Sequence, residues 1–229
     1  MKYILAMLFA LVSFSSGDDI EYRFSSGSGA FVNPEYLITA YHVVNNYRRY
    51  YCYLDWRDES CYALTLVDYD TAADIALLKL VKKLPWTPAV CCIYEEEVPL
   101  NTRIVSYGYH DPFENGYMLT SSGGEIKMHH GYTSGYEFYA VAAHVAAGTS
   151  GGPVADTNGY IVGYNHSRYS DDENIGNITK STEALKLIRR NGVKEAPNTA
   201  DAGSCAVIVI NSERRFDYKR GDSRELCRL

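Results

Sequence analysis

The sequence predicts an all-β protein, built either as a sandwich or as a barrel. Short runs rich in β-branched and aromatic residues recur along the chain, and such residues favour strands. Turn-forming pairs of Gly, Pro, Asn and Asp separate these runs, which is typical of antiparallel sheets. A helical pattern is clear in one segment only, so alternating β and α units are not expected.

The strand-like runs extend over most of the chain. In order they cover residues 29–44, 61–69, 75–81, 102–109, 136–143 and 160–165. The acidic stretch 95–101, EEEVPLN, interrupts them and is the predicted linker between two halves. A further run, AVIVI at 206–210, lies in the C-terminal segment 194–229, which is too short for a second full-sized domain.

The predicted helix follows the last long strand-like run. Ser181 is a suitable N-cap, and Glu183 lies in the first turn. Arg189 and Arg190 precede Gly192, which is typical of a helix C-terminus. The expected apolar face consists of Ala184, Leu185 and Ile188.

Length and charge limit the function classes. The chain has 229 residues, 46% of them hydrophobic, which suits one globular unit or two small halves. A net charge of −6 argues against nucleic acid as the main partner. The chain has no C-x-x-C pair and no H-E-x-x-H spacing, so neither a metal site nor a cofactor is predicted.

Residues 1–17, MKYILAMLFALVSFSSG, have the pattern of a secretory signal peptide. Lys2 precedes a short apolar run, and small residues end at Gly17. The run is short for a membrane span, although an uncleaved anchor stays possible at this stage. A secreted protein with no membrane span after signal removal is therefore predicted.

The cysteines also indicate a secreted protein. All six lie beyond the signal, at positions 52, 61, 91, 92, 205 and 227. An even number in an exported chain predicts disulfide bonds. We expect a hairpin bridge between Cys52 and Cys61 and a second bridge between Cys205 and Cys227. One of the adjacent residues 91 and 92 is expected to reach the C-terminal segment.

The segment 148–153, GTSGGP, is either an ordinary turn or a loop that exposes the hydroxyl of Ser150. An α/β-hydrolase would need a helix after this serine and the order serine, acid, histidine, and the sequence fits neither requirement. The order histidine, acid, serine does occur. His42 follows a strand-like run, Asp74 directly precedes another, and Asp70 is the alternative acid.

Five pieces of the sequence together resemble the chymotrypsin-like (trypsin-like, PA clan) serine proteases, most closely the HtrA-like and glutamyl-endopeptidase-like branches. They are GSGAFV (27–32), LITAYHVV (37–44), DIALLKL (74–80), AGTSGGPV (147–154) and GYIVGYN (159–165). The resemblance implies two six-stranded antiparallel β-barrels with a C-terminal helix. It implies a protease domain at 18–193, with one barrel at about 18–97 and the other at about 98–193. Residues 194–229 are an extension outside the resemblance, too short for a PDZ domain.

The resemblance also implies a role for each site residue. His42 would be the general base, Asp74 would orient it, and Ser150 would attack the peptide bond to form an acyl-enzyme. The backbone N–H groups of Gly148 and Ser150 would form the oxyanion hole. The predicted function is a secreted serine endopeptidase acting on polypeptides. The alternatives are a catalytically inactive homologue that serves as a binding module and a viral protease that processes a polyprotein.

Substrate specificity is implied less sharply. By motif position, the substrate pocket would contain His144, Gly163, Tyr164 and Asn165. Trypsin-like digestive enzymes carry an acid in this pocket, and its absence here disfavours cleavage after Lys or Arg. Glutamyl endopeptidases carry histidine where this chain has Asn165, and His166 lies one position further on, so a neutral or apolar P1 residue is the main expectation and cleavage after Glu is the alternative. Thr149 replaces the Asp of the digestive enzymes, so activation by an inserted N-terminus is not expected.

Overall fold

A computed structural model describes residues 22–47, 49–53, 61–90, 92–110, 118–129, 138–168, 172, 174–195 and 207–215. The described chain is mostly β, and the predicted helix follows the second sheet. The strands are β1 (Tyr22–Phe31), β2 (Tyr36–Ala40), β3 (Arg49–Tyr53), β4 (Cys61–Asp70), β5 (Ile75–Leu80), β6 (Arg103–His110), β7 (Met118–Met128), β8 (Phe138–Val141), β9 (Pro153–Asp156), β10 (Ile161–Arg168), β11 (Gly176–Lys180) and β12 (Val207–Arg215). The helices are α1 (Tyr41–Val44) and α2 (Ser181–Arg190).

Each of the two sheets closes on itself as a six-stranded barrel. The first barrel has the strand order β1-β12-β3-β4-β5-β2, and the second has β10-β11-β8-β7-β6-β9. All the pairings within these barrels are antiparallel. The connection between the barrels runs from the end of β5 to the start of β6 and contains the predicted linker 95–101.

The first barrel takes one of its strands from the predicted C-terminal extension. Strand β12 lies between β1 and β3, with Tyr22 opposite Arg215 on one side and Tyr53 opposite Val209 on the other. The expectation that residues 18–97 alone build this barrel is therefore corrected. Five strands come from that range, and β12 satisfies the edges of β1 and β3 that would otherwise stay unpaired.

Strand β5 shows why the sequence IALLKL is apolar at every position except Lys79. Ile75 and Leu77 face a cluster that the first barrel shares with β10 and α2. Ala76, Leu78 and Leu80 face the interior of the first barrel. Because successive side chains alternate between the two faces of a strand, a strand that is buried on both faces has no polar alternation.

Helix α2 packs its apolar face against β10 and the first barrel. Ala184, Leu185 and Ile188 are buried, as predicted. The N-cap differs from the prediction, because Lys180 holds that position and Ser181 is the first helical residue. The Ser181 hydroxyl instead donates to the Tyr94 carbonyl (2.8 Å) in the connection between the barrels.

The predicted Cys52–Cys61 bridge is wrong. In the β3–β4 hairpin Cys52 lies opposite Tyr62, while Cys61 lies opposite Tyr53. The two cysteines therefore point to opposite faces of the sheet. Cys52 is a free thiol that is fully buried in the first barrel, and burial raises its pKa to about 12.

Several predictions fall on residues outside the described ranges. They are the signal peptide at 1–17 and the bridges that involve residues 91, 205 and 227. In the part of the chain that the structure describes, no helix is long and apolar enough to cross a bilayer.

Candidate active site

His42 is presented by the single turn of α1. Its two neighbours Val43 and Val44 are fully buried in the first barrel and anchor the turn. The His42 side chain is 48% exposed and stands at the end of β2. A short turn with buried apolar residues on one side therefore leaves an imidazole at the surface.

Asp74 is the carboxylate in contact with His42. Its Oδ2 lies 2.6 Å from His42 Nδ1, and its Oδ1 accepts the His42 backbone N–H at 2.8 Å. Because the carboxylate is an acceptor, Nδ1 carries the proton and Nε2 is left as the basic nitrogen. One carboxylate oxygen therefore orients the His42 ring, and the other holds the His42 backbone.

The alternative acid, Asp70, has a different place. Its Oδ1 accepts the backbone N–H groups of Ala72 and Ala73, at 2.9 and 3.1 Å, and so shapes the turn between β4 and β5. At the end of that turn Asp74 adopts φ = 50°, a left-handed conformation that is uncommon outside glycine. The turn held by Asp70 thus directs Asp74, rather than Asp70 itself, towards His42.

The loop around Ser150 is held open by two glycines. Gly148 and Gly151 have φ values of 86° and 82°, which only glycine adopts without strain. The Thr149 hydroxyl donates to the Ala146 carbonyl (2.8 Å) and so closes the turn that precedes Ser150. A Cβ at Gly151 would lie 2.4 Å from the Ser28 carbonyl oxygen and 2.5 Å from the Ala40 nitrogen. This serine loop of the second barrel is therefore packed directly on β1 and β2.

Ser28 on β1 joins the serine loop to the first barrel. Its N–H donates to the Ser150 carbonyl at 2.8 Å, and its hydroxyl donates to the Gly148 carbonyl at 2.9 Å. A Cβ at Gly27 would lie 2.5 Å from Val43 Cγ2 and 2.9 Å from the Ser150 carbonyl oxygen. Strand β1 thus contacts both the serine loop and Val43, the residue that follows His42. The sequence reasoning placed Ser28 in a motif but assigned it no role.

Asn165 holds the serine loop from the β10 side. Its backbone carbonyl accepts the Gly151 N–H at 2.7 Å. Its side-chain amide donates to the Tyr107 carbonyl (3.0 Å) and the Thr149 carbonyl (3.3 Å), and its oxygen accepts the Ser106 hydroxyl (2.8 Å). The side chain is buried and fully engaged, so it supports the loop from behind.

The other residues predicted for the substrate pocket are His144, Gly163 and Tyr164, and they lie in three different places. His144 is exposed and lines a cavity of about 130 Å³ together with Ser106, His110, Thr120, Ser121, Ser122, Ala146 and Thr149. Tyr164 is buried in the cluster between the first barrel and α2. Gly163 is buried in the ladder with β11. The structure therefore brings His144 to a cavity beside the serine loop, and it places Gly163, Tyr164 and Asn165 in the wall behind.

His166 is a contact of Asp74 that the sequence reasoning did not assign to the site. Its Nε2 lies 3.3 Å from Asp74 Oδ2, and its side chain is 17% exposed. Burial lowers the pKa of His166, the Asp74 charge raises it, and His42 lowers it further. Among the described residues, no group of three His, Cys, Asp or Glu side chains is arranged to hold a metal ion.

Comparison with known proteins identifies the family of the chain. The model of the trypsin-like peptidase domain matches residues 27–163. The chain is 28% identical over 195 residues to the magnetosome formation protease MamE of Paramagnetospirillum magneticum, covering 80% of this chain and 26% of that protein. It is 31% identical over 148 residues to serine protease HTRA1 of Xenopus laevis, covering 62% of this chain and 31% of HTRA1. The chain thus spans less than a third of the length of these two relatives.

A solved structure has a similar fold. The active form of the Rv3671c protease from M. tuberculosis superposes with a TM-score of 0.62 at 22% identity, covering 80% of this chain and 85% of that one. Since the family model matches more than half of the chain, the chain belongs to the trypsin-like peptidase domain family, and the relatives it resembles are named serine proteases.

Proposed function

We propose that the chain is an active endopeptidase that uses His42, Asp74 and Ser150 as a catalytic triad. The observation that carries this proposal is the double contact of Asp74 with His42, through Nδ1 at 2.6 Å and the backbone N–H at 2.8 Å. This contact leaves Nε2 as the base on the exposed side of the ring. The serine loop, which packs on β1 and β2, would supply Ser150 as the nucleophile.

The proposed reaction proceeds in two steps. Ser150 Oγ attacks the peptide carbonyl carbon while its proton passes to His42 Nε2, and the same proton then goes to the departing amine. The resulting acyl-enzyme ester is hydrolysed by a water molecule that His42 deprotonates. Asp74 stabilises the imidazolium in both steps and stays ionised.

The oxyanion of each tetrahedral intermediate would bind to the N–H groups of Gly148 and Ser150. The positive φ of Gly148 permits the tight loop that turns successive N–H groups to one side. Removing one such donor in other enzymes costs about 10²–10³ in kcat. The glycines of this loop are thus proposed as part of the catalyst.

For the substrate we propose a polypeptide with a neutral or apolar P1 side chain. His144 and the hydroxyl-bearing residues around the 130 Å³ cavity offer no carboxylate to a Lys or Arg side chain. Asn165 is engaged by Ser106, Tyr107 and Thr149, so it is proposed to support the pocket from behind. Gly163 and Tyr164 would act in the same way, as the buried wall of the cleft.

We further propose secretion, with signal removal after Gly17 and disulfides among the four cysteines at 61, 91, 205 and 227, since Cys52 and Cys92 are reduced thiols. The apolar N-terminal run and the even cysteine count support this. N-terminal sequencing of the exported protein should begin at Asp18. Mass spectrometry without reduction should find Cys52 unpaired, and an intact N-terminus on the mature protein would contradict the proposal.

A fluorophosphonate probe tests the nucleophile directly. The parent protein should be labelled on Ser150, and Ser150→Ala should lose both labelling and about 10⁴–10⁶ of the cleavage rate while it keeps its melting temperature. Ser25→Ala, a serine on β1 away from the serine loop, is the matched control and should label normally. A parent protein that neither labels nor cleaves would instead be the inactive binding module.

A further inference from the structure

Asp74 faces two imidazoles through one oxygen. His42 Nδ1 lies 2.6 Å from Oδ2, and His166 Nε2 lies 3.3 Å from the same atom. The two rings meet edge to face with their centroids 6.3 Å apart. His42 is half exposed and His166 is mostly buried, so only His42 is open to a substrate.

The neighbours of His166 define where its proton lies. Ser167 Oγ is 2.7 Å from Nδ1, and Asn177 Nδ2 donates to that oxygen at 3.3 Å. With the Asn177 donor on its oxygen, the Ser167 hydroxyl is placed to donate its own proton to Nδ1. A neutral ring has one N–H group, and when Nδ1 accepts from Ser167 this group is Nε2–H, on the nitrogen that lies 3.3 Å from Asp74 Oδ2. The opposite tautomer would place a nitrogen lone pair against the carboxylate.

The backbone holds the His166 ring in this position. The pairing of β10 with β11 shifts register between Asn165 and Ser167, which is a bulge at His166. A bulge re-aims one side chain of a strand. The Phe138 ring packs on the imidazole at a centroid distance of 4.6 Å. His166 is therefore directed at Asp74 by the strand and fixed there by packing.

The surroundings of His166 favour its neutral form. The titratable groups that face it are Asp74 and His42, and its other described contacts are the Ser167 hydroxyl and the Phe138 ring. Burial is the largest influence and lowers the pKa of His166, Asp74 raises it, and His42 lowers it again. Near neutral pH the ring therefore offers Asp74 a donor without neutralising the carboxylate charge.

We propose that His166 is a positioning residue, whose Nε2–H group holds Asp74 Oδ2 in the place from which it orients the ring of His42. The inference rests on the proposed peptidase function, because positioning matters only when His42 acts as the base. At 3.3 Å the contact is longer than an ideal hydrogen bond. Such contacts commonly tighten when the substrate binds.

Two substitutions at His166 distinguish the effect of the N–H donor from the effect of ring packing. His166→Phe keeps an aromatic ring against Phe138 and removes the donor, whereas His166→Gln keeps an amide N–H donor. We expect His166→Phe to lower kcat about 10- to 100-fold, the range that the loss of a hydrogen bond to a charged group gives, with KM changed less than about twofold. We expect His166→Gln to restore kcat to within about threefold of the parent.

The pH profile of kcat/KM provides a second readout. Without the donor, more of the Asp74 charge is available to stabilise protonated His42, so the acid limb of the His166→Phe profile should move to higher pH. The acid limb of His166→Gln should stay with the parent. Equal kcat and equal profiles for His166→Phe and the parent would overturn the proposal. Equal losses in both variants would overturn it too, because they would indicate ring packing instead.

The protonation state of His166 can also be measured directly, without an activity assay, in a protein whose site is otherwise unchanged. In the Ser150→Ala protein labelled with ¹⁵N-histidine, His166 should be neutral and protonated on Nε2 at about pH 7.5. An imidazolium or an Nδ1–H tautomer would refute the proposal. This measurement does not need the His166→Phe variant, so it tests the proposal even when that variant does not fold. It is also independent of the proposed function, which would fail separately if the parent protein cleaves nothing.

Discussion

The closure of the first barrel by β12 makes a quantitative prediction at Ile210. Ile210 is fully buried, pairs with Gly27 of β1 and Cys52 of β3, and belongs to the apolar cluster inside this barrel. Ile210→Ala removes most of a buried side chain and leaves a cavity, which costs about 2–5 kcal/mol. For a domain of this size, that corresponds to a fall in melting temperature of about 4–20 °C.

Thermal and urea unfolding, followed together with peptide cleavage, measure the effect of Ile210→Ala. Cleavage per folded molecule should be retained, because Ile210 lies in the apolar interior of the first barrel and supplies none of the proposed catalytic groups. Val81→Ala is the control: Val81 is 57% exposed, and its truncation should change stability by no more than about 0.5 kcal/mol. A chain ending at Lys194 should be less stable than Ile210→Ala. If Ile210→Ala and Val81→Ala unfold alike, β12 is not an integral part of the barrel.

Three further outcomes are expected. Asp74→Asn should lower kcat by about 10⁴, because an amide cannot replace the acceptor that fixes the base, whereas Asp70→Asn keeps its turn contacts and should cleave nearly as fast as the parent. Gly151→Ala should cost about 2–5 kcal/mol and most of the activity, through its positive φ and the 2.4 Å approach to Ser28, while Gly123→Ala, with open space around it, should be near neutral. The lowered pKa of His166 means that the unfolded chain binds this proton more readily, so stability should be full above about pH 6.5 and fall as the pH drops below it. His166→Gln should flatten that part of the stability curve, and an unchanged slope would contradict the burial of a neutral ring.

The sequence was sufficient for the local features of the site. His42 follows one strand-like run and Asp74 directly precedes another, and the glycines on either side of Ser150 indicate a tight loop. These signals are carried by neighbouring residues, so pattern reasoning detects them. The contact of Asp74 with His42, and the different use of Asp70, agree with the order of the motifs.

The features that were missed depend on pairing between distant strands. AVIVI indicates a strand but not its partners, which lie near the opposite end of the described chain. His166 reaches Asp74 because a bulge shifts the register of β10, and no residue pattern reveals that shift. The Cys52–Cys61 prediction failed because separation along a hairpin does not tell which face each side chain takes.

The position of β12 also bears on how the protein matures during translation. Domains usually fold in the order in which they leave the ribosome, but this first barrel still lacks a strand after the whole second barrel has been synthesised. Its closure joins segments that are distant along the chain, a topology of high contact order that folds slowly. His42 and Asp74 belong to that barrel, so a nascent chain without residues 207–215 has no closed scaffold to hold them. The proposed catalytic groups His42 and Asp74 therefore gain their complete scaffold only once β12 has been synthesised.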